Sequence, residues 1–237
     1  MIIILLMRFD TPLIKTKFIK RYKRFFVDVL LNKEIVTAHC PNSGSMMGLL
    51  NEGENAWISE SKNTGRKLKY TLEIIEHNKQ KVGVNTHLTN RIIEEALINK
   101  KIKELECFDQ VQREVKFNNN TRFDFFVSSK KKKAFVEVKN VTLKRENNYA
   151  EFPDAPTARG QKHLLELICA KDKEYQSYLI FLIQREDCNF FKISKDIDKK
   201  YYENFIQAKK KGVKFLCYSS KITDKEVILN KKIDIEF

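Results

Sequence analysis

The sequence lacks the short motifs that most directly indicate an activity. It contains no G-x-S-x-G, P-loop or G-x-G-x-x-G, so nucleophilic serine chemistry, nucleotide hydrolysis and dinucleotide binding have no motif support. Its five cysteines are odd in number and include no C-x-x-C pair, which argues against a disulfide framework and a zinc knuckle. We therefore expect most of them to be buried thiols in a reducing cytoplasm.

No hydrophobic run is long enough to cross a membrane. The apolar opening, residues 1–7, is too short for a span and lacks the basic start and small-residue cleavage site of a signal peptide. Two interpretations of this segment remain: it forms an extra strand, or a natural protein begins at Met7. Together with the cysteine pattern, these absences predict a cytoplasmic protein without a membrane partner.

Acidic residues are few relative to basic ones. The chain has 31 Asp and Glu against 45 Lys and Arg, which gives a formal net charge of +14. This surplus suggests a polyanionic partner, with nucleic acid ahead of an anionic membrane. The alternative is that all proteins of the source are rich in lysine, in which case the charge indicates no partner.

Residues 13–84 are typical of an all-β domain, because short β-prone runs alternate there with turn residues. About five strands in a segment of this length predict a small barrel or sandwich. Basic residues interleave with aromatic ones near its start, as in a groove that follows a nucleic-acid strand, although a solvated strand with core aromatics fits equally well. The basic residues assigned to this groove are Lys17, Arg21, Lys23 and Arg24.

A polar loop, residues 39–46, lies between two of these strands. Its proline, glycine, asparagine and serines are typical of a turn, and a structural turn is the default interpretation. The same residues offer hydrogen-bond donors that could hold a phosphate, which is the functional alternative.

The periodicity changes after Val84. Apolar residues within 85–97 fall on one helical arc, and the segment that follows alternates helices with β-prone runs, which predicts an α/β domain. We therefore place a domain boundary near Val84, with domains at 1–84 and 85–237. A second helix is expected to begin after two prolines, with Asp154 or Thr157 as its cap.

A predicted β-hairpin carries the residues with the clearest chemistry. Its strands are residues 123–127 and 135–141, and both faces of the second strand are largely apolar, which suits a strand covered on both sides. Glu137 and Lys139 nevertheless project from one of those faces. Burying such charges is costly unless they are paired or bind a metal.

The hairpin can supply the groups that metal-dependent phosphodiester cleavage needs. Asp124 and Glu137 lie on neighbouring strands, so their carboxylates can converge on Mg²⁺ or Mn²⁺, with the carbonyl of Val138 as a further ligand. Lys139 can position water or bind phosphate. Glu95, at the edge of the apolar arc of the preceding helix, can add a carboxylate. The alternative is an exposed ion pair, because E-x-K is common in a lysine-rich chain.

The second helix adds a candidate phosphate-binding face. Its spacing of three and four residues places one set of polar side chains on the same side of the helix. That set comprises Arg159, Lys162 and His163.

Several blocks together resemble the sugar fermentation stimulation protein A family of bacteria and archaea. They are HCPNSGSM (39–46), NT (85–86) with Asn90, RFDF (122–125), VEVKNVTL (136–143) and FPDAPTARGQKHL (152–164), and the resemblance spans residues 8–218. It implies an N-terminal OB-like β-barrel followed by a restriction-nuclease-like PD-(D/E)xK α/β domain, with non-specific DNA binding. It also implies that Asp124, Glu137 and Lys139 form the nuclease core and that Glu95 is the helix carboxylate.

Three functions follow as hypotheses. The first is a Mg²⁺-dependent nuclease acting on DNA, with RNA as a further substrate and no small-molecule cofactor. The second is a DNA-binding regulator of sugar metabolism genes on a catalytically silent nuclease scaffold. The third is an interaction protein whose basic surface has no role in nucleic-acid binding.

Overall fold

The computed structural model describes residues 7–146 and 148–237. These residues form fifteen β-strands and three α-helices. The extra strand considered for the apolar opening falls on residues 1–6, which lie outside the described ranges. Within those ranges, no helix combines the length and the apolar character that a membrane span requires.

The first five strands form a closed barrel. Their order is β3-β2-β1-β4-β5, and a short parallel pairing of β3 with β5 completes the circle. Its interior is apolar, with Phe18, Val27 and Leu72 fully buried. The predicted OB-like barrel is thus confirmed. The strands are β1 (Leu13–Tyr22), β2 (Phe26–Leu31), β3 (Glu34–His39), β4 (Asn55–Glu60) and β5 (Tyr70–His77), and β6 (Gln80–Gly83) extends the sheet beside β5.

The remainder is the predicted α/β domain, built on a six-stranded mixed sheet of order β14-β13-β11-β9-β8-β7. The three central strands are parallel and the flanking pairs are antiparallel. The strands are β7 (Gln110–Asn118), β8 (Thr121–Ser128), β9 (Lys133–Val141), β11 (Gln176–Ile183), β13 (Lys214–Ile222) and β14 (Val227–Lys232). A smaller parallel sheet contains β10 (Asn148–Phe152), β12 (Cys188–Ile193) and β15 (Asp234–Glu236).

Three helices cover the two faces of the large sheet: α1 (His87–Ile98), α2 (Ala158–Asp172) and α3 (Lys199–Lys210). Ala134, Val136 and Val138 of β9 pack in one core with α1, whereas Phe135 and Val141 pack in a second core with α2 and α3. We call these the α1 face and the α2 face of the sheet. The separation of side chains along the hairpin follows the predicted alternation, so Glu137 and Lys139 belong to the α2 face.

Backbone contacts join the barrel to the α/β domain. The amide of Gly83 donates to the carbonyl of Gln184 over 2.9 Å, and the amide of Thr86 donates to the carbonyl of Pro41 over 3.2 Å. A Cβ atom at Gly83 would lie 2.5 Å from Oε1 of Gln184, so a larger residue here would displace the Gln184 side chain. The loop 39–46 is thereby held near the start of α1.

Candidate active site

Asp124 lies where β8 and β9 separate. Their paired register ends at Phe125 opposite Val136, and the Asp124 carboxylate then accepts the amide N–H of Val138 over 2.8 Å. The other carboxylate oxygen accepts from Nδ2 of Asn90, on α1, also over 2.8 Å. The Asp124 carboxylate thus takes the place of a backbone carbonyl as the acceptor for the Val138 amide. This hydrogen bond fixes the carboxylate beside β9, the strand that carries Glu137.

Glu137 is buried on β9, with 3% of its side chain exposed. Its Oε1 accepts from Nζ of Lys139 over 2.7 Å and from Nδ1 of His163 on α2. Its Oε2 is buried and has no hydrogen-bond donor among the described residues. A buried carboxylate oxygen without a donor is costly, so this atom is a natural ligand for a cation.

The two carboxyl groups differ in their affinity for protons. Burial, and next the negative charge of Glu137, raise the pKa of Asp124 to about 7, although the hydrogen bonds from Val138 and Asn90 oppose this. Burial also acts to raise the pKa of Glu137, but the charge of Lys139 and the contact with His163 outweigh it and lower that pKa. Glu137 is therefore the ionised partner near neutral pH, and Asp124 is close to its titration midpoint.

Both carboxylates line a cavity of about 410 Å³ at the junction of the two domains. Lys139, His163 and Arg159 also line it, so the hairpin and α2 contribute to one site. The barrel forms another wall through Asn42, Ser43 and Gly44 of loop 39–46. The sequence indicated a turn at this loop, and the structure makes that turn part of the cavity.

A set of hydrogen bonds, which we call the clasp, fixes this barrel wall. Arg21 of β1 donates to the carbonyl oxygens of Asn42, Gly44 and Ser45. From the α/β domain, the Asp154 carboxylate accepts from the amide of Met46 over 3.0 Å and from the hydroxyl of Ser45 over 3.2 Å. A Cβ atom at Gly44 would lie 2.6 Å from this carboxylate, so a larger residue here would displace Asp154 from the loop. Asp154 therefore does not cap α2, and the Thr157 hydroxyl does so by accepting from Gly160.

The residues present fit a divalent cation with an incomplete protein ligand set. Asp124, Glu137 and the Val138 carbonyl provide oxygen ligands, and no described residue donates a hydrogen bond to Oε2 of Glu137. In residues 7–146 and 148–237, no group of three or more His, Cys, Asp or Glu side chains is arranged to hold a metal. This composition suits Mg²⁺ better than zinc, because Mg²⁺ usually retains several waters and binds one or two carboxylates.

Glu95 is not part of this cluster. Its Oε1 accepts from Nζ of Lys101 over 2.7 Å, its Oε2 accepts from the amide of Met7 over 2.6 Å, and it does not line the cavity. The reason is helical geometry: Glu95 follows Asn90 by five residues, a rotation of about 140° around α1. Asn90 faces Asp124, and Glu95 is turned into the α1 face. The structure thus differs from the predicted metal site at this position.

Comparisons with known proteins agree with this architecture. Residues 19–84 match the family model for the SfsA N-terminal OB domain, and residues 87–226 match that for the sugar fermentation stimulation protein RE domain. A sugar fermentation stimulation protein homolog from Pelagibacter ubique is 58% identical over 229 residues, covering 97% of this chain and 99% of the relative. The homolog from Pseudoalteromonas atlantica is 44% identical, covering 96% and 98%.

The chain belongs to the sugar fermentation stimulation protein family. The structure is also similar to that solved for Pyrococcus furiosus SfsA in complex with Ca²⁺, with a TM-score of 0.89 and 26% sequence identity over 98% of this chain and 99% of that one. The predicted family and fold class, an OB domain followed by a mixed α/β domain, are therefore confirmed.

In this family member, the basic residues predicted on the barrel have two different environments. The guanidinium of Arg21 is engaged with the backbone of loop 39–46, so its observed role is structural. Lys17, Lys23 and Arg24 are exposed. Of the aromatic residues that accompany them, Phe18 is in the barrel core, while Tyr22 and Phe25 are partly exposed. The exposed residues remain candidates for nucleic-acid contact.

The basic residues predicted on α2 also separate. Arg159 and Lys162 are exposed and line a second, open cavity of about 610 Å³ that is continuous with the Asp124 site, since Asp124, Arg159 and His163 line both. Nζ of Lys162 donates to the carbonyl of Asn120 over 2.6 Å. His163 is buried against Glu137 rather than presented at the surface, so its observed contact is with the carboxylate cluster.

Asn90 is the site residue to which the sequence assigned no role. It orients Asp124, while the neighbouring Thr89 donates to Asn140 of β9 over 2.9 Å. Asparagine is a weak helix former, because its side chain competes for backbone groups. The available signal was its place among the residues that carry the family resemblance.

Proposed function

We propose that the protein is a divalent-metal-dependent nuclease that cleaves phosphodiester bonds in DNA, with RNA as a further candidate substrate. The observation that carries this proposal is Glu137. Its buried Oε2 has no donor among the described residues and its carboxylate lines the same cavity as Asp124. If this position served packing alone, we would expect a side chain that is apolar or that has every buried polar atom hydrogen-bonded.

Asp124, Glu137 and the Val138 carbonyl are the groups that would hold Mg²⁺ or Mn²⁺. Such an ion, when bound, supplies Lewis-acid stabilisation of charge at phosphorus and lowers the pKa of a bound water. The structure of Pyrococcus furiosus SfsA in complex with Ca²⁺ supports a cation site in this family. Ca²⁺ and Mg²⁺ both prefer oxygen ligands.

The chain's own side chains have separable roles in this proposal. His163 and Lys139 hold Glu137 ionised, and Asn90 with the Val138 amide orients Asp124. Lys139, with an ammonium at the cavity wall, is positioned to bind a phosphate oxygen or orient the attacking water. Arg159 and Lys162 extend positive charge from the cavity along the adjoining groove, which suits a nucleic-acid backbone.

The test is incubation of purified protein with single- and double-stranded DNA and RNA in Mg²⁺, Mn²⁺ or chelator. We expect cleavage of at least one substrate with Mg²⁺ or Mn²⁺ and none with chelator. Asp124→Asn and Lys139→Ala should each lack it, while an exchange outside the cavity, Lys210→Gln, should retain it. Equal cleavage by wild type and Asp124→Asn would mean that the activity belongs to a contaminant or to another site.

A second candidate is a catalytically silent DNA-binding regulator of sugar metabolism genes. The observation in its favour is that Oε1 of Glu137 is already paired with Lys139 and His163, and that the described residues supply no third carboxylate to the cluster. This candidate predicts metal-independent DNA binding without cleavage under any of the conditions above. Both candidates are consistent with the expected cytoplasmic location.

A further inference from the structure

A third cavity lies between the barrel and α1, apart from the Asp124 and Glu137 cluster. It is a cavity of about 550 Å³. Its walls are the loop between β4 and β5, the end of β3, and the first two turns of α1, with His39, Arg66 and His87 among the lining residues. None of the proposed metal ligands lines it, so its chemistry is independent of the active site.

Each carboxylate of this cavity is accounted for by a partner. Asp10 accepts from Arg91 over 3.2 Å, and Glu60 pairs with Lys69 over 3.0 Å. Glu73 is buried and accepts from the Ser59 hydroxyl over 2.6 Å and from Nδ2 of Asn85 over 2.7 Å. Burial raises the pKa of Glu73, so its negative charge is also disfavoured. The carboxyl groups of this cavity are therefore paired or disfavoured in their charged form, and they do not neutralise its remaining basic side chains.

Four basic groups that line the cavity have no carboxylate partner among the described residues: Arg66, His39, His87 and, at the entrance, Lys62. Arg66 donates to the hydroxyl of Thr71 over 2.8 Å, a neutral acceptor. In residues 7–146 and 148–237, no carboxylate lies within ion-pair distance of Arg66, His39 or His87. Burial, and then the positive charges of Arg66 and His87, lower the pKa of His39. Arg66, His39 and His87 line one cavity, and the positive charges of Arg66 and His87 disfavour a charge on His39, so an anion in this cavity would relieve the repulsion.

We propose that Arg66, His39 and His87 bind a phosphate group in this cavity. A guanidinium fork and two imidazole N–H groups match the oxygens of a phosphate. The loop between the fourth and fifth strands is also a place where OB barrels take their ligands. Lys62, on the same loop and exposed, adds positive charge at the entrance.

The phosphate has two chemical sources. It is either an internucleotide phosphate of bound nucleic acid, in which case the inference rests on the proposed nucleic-acid function, or the phosphate of a free small molecule. Both need the same three side chains. They differ in whether an isolated phosphate, without a chain of nucleotides, binds with measurable affinity.

The experiment compares Arg66→Gln with Lys67→Gln in metal-free protein. Lys67 lies in the same loop, is exposed and does not line the cavity, so its replacement removes the same charge without the proposed contact. The probes are inorganic phosphate, a 5′-mononucleotide and a 12-nucleotide single-stranded DNA. Histidine side-chain NMR reports on the site, since the chain has 4 histidines and His77, outside both cavities, is an internal reference.

If the source is a free small molecule, phosphate or mononucleotide should shift the side-chain NMR signals of His39 and His87 but not those of His77. Arg66→Gln should then weaken binding about tenfold or more, whereas Lys67→Gln should not. If the source is nucleic acid, only the DNA should shift His39 and His87, and only Arg66→Gln should lose affinity by that factor. Absence of these histidine shifts with all three probes, or equal losses in both variants, would overturn the proposal.

Failure of the nuclease assignment would leave this test unaffected, because it uses no metal and measures no cleavage. Conversely, loss of the phosphate site would leave Asp124, Glu137 and Lys139 able to cleave. Arg66→Lys adds a check on mechanism, since it keeps the charge but not the planar fork. We expect this variant to bind more weakly than wild type and more tightly than Arg66→Gln.

Discussion

Two glutamates on opposite sides of the sheet are similar in burial and in their nearest partner, but they differ in what remains unsatisfied. Glu137 and Glu95 have 3% and 2% of their side chains exposed, and each accepts from a lysine ammonium over 2.7 Å. The second oxygen of Glu95 accepts from the Met7 amide, whereas that of Glu137 has no donor in the described chain. Burial and a lysine partner alone therefore do not identify a functional carboxylate.

The surroundings of the two glutamates explain this difference. Glu95 is enclosed among the apolar residues of the α1 face, so both of its oxygens need protein donors. Glu137 lies at a wall of a cavity large enough to admit a ligand, where a cation or water can satisfy the remaining oxygen. A carboxylate whose two oxygens both accept hydrogen bonds from the protein stabilises the fold. A carboxylate with an oxygen that lacks a donor, beside a cavity, can still bind a cation.

The largest expected effect follows from exchanging each glutamate for glutamine. Glu137→Gln should reduce metal-dependent cleavage about 10³-fold, because several kcal/mol of charge stabilisation depend on the ion it helps to hold. Glu95→Gln should retain cleavage per folded molecule but lower the free energy of unfolding by about 1–3 kcal/mol, because its amide cannot accept from both donors. Single-turnover cleavage and urea unfolding measure the two effects.

The contrast between the two glutamates is contradicted if Glu95→Gln impairs cleavage or if Glu137→Gln leaves cleavage intact. Loss of cleavage by Glu95→Gln, with its unfolding transition unchanged, would restore Glu95 as a ligand and would require α1 to rotate in the active protein. Retention of activity by Glu137→Gln would remove the main support for the proposed metal site.

These glutamates also show how much of the site could be predicted from the sequence. Alternation along β9 correctly separated Glu137 and Lys139 from Val136 and Val138, because the period of a strand is fixed by its geometry. The helical arc correctly placed Glu95 at its packed edge. The arc gives only the angle of each residue about the axis of α1. It does not show which residue of the helix lies beside β8, and in the structure this residue is Asn90 rather than Glu95.

Contacts between distant segments explain the other differences. The barrel was predictable from short β-prone runs, but the contribution of loop 39–46 to the cavity depends on Arg21 and Asp154, which are far apart in the chain. Local patterns assigned Arg21 to nucleic acid and Asp154 to a helix cap. The strands β10, β12, β14 and β15 were not predicted, because they are short and several of their residues are exposed or charged.

The next effect concerns the clasp, which fixes the barrel wall of the Glu137 cavity. Arg21→Gln should release loop 39–46 and lower cleavage by up to about 100-fold, since displacement of a site wall by about 1 Å can have this effect. Lys33→Gln, an exposed exchange at the turn between β2 and β3, should change cleavage little. Hydrogen exchange of the Gly44 and Met46 amides should increase in Arg21→Gln alone. Equal protection in both variants would show that Asp154 holds the loop without Arg21.

A pH effect sharpens the contrast between the two carboxyl groups of the site. Because the pKa of Asp124 is raised to about 7, a bound metal must displace its proton at lower pH. The apparent affinity for Mg²⁺ should therefore rise about tenfold per pH unit up to about pH 7 and then level off. Calorimetry in buffers of different ionisation enthalpy should detect the released proton. An affinity that does not change between about pH 5 and pH 7 would contradict this assignment.

The same shift predicts the stability of the metal-free protein. The pKa of Asp124 in the folded protein lies above its ordinary value. Protonated Asp124 therefore contributes favourably to the free energy of unfolding at low pH, and this contribution is lost as the pH rises towards about 7. Asp124→Asn does not titrate and can retain both hydrogen bonds if the Asn90 amide reverses. The free energy of unfolding of wild type should therefore fall relative to Asp124→Asn over this interval. A constant difference between the two proteins would exclude the shift.

The smallest expected effect concerns the groove beside the Glu137 cavity. Arg159 and Lys162 line this groove, which is continuous with the Glu137 cavity through Asp124 and His163. In a Glu137→Gln background, which prevents cleavage, the double exchange Arg159→Gln with Lys162→Gln should reduce the slope of log K against log salt by about 0.9 per lost contact, or about 2 in all. The exposed pair Lys210 and Lys211, exchanged likewise, provides the charge-matched control.

The size of the change in slope distinguishes the contributions of the two residues. Lys162 donates to the Asn120 carbonyl, so a reduction near 1 would assign the phosphate contact to Arg159 alone. A reduction near 2 would mean that Lys162 leaves this carbonyl when DNA binds. Equal reductions in the groove variant and in the control would show that DNA contacts the basic surface generally. The contrast between the two sides of the sheet would then rest on Glu137 and Glu95, and not on the groove.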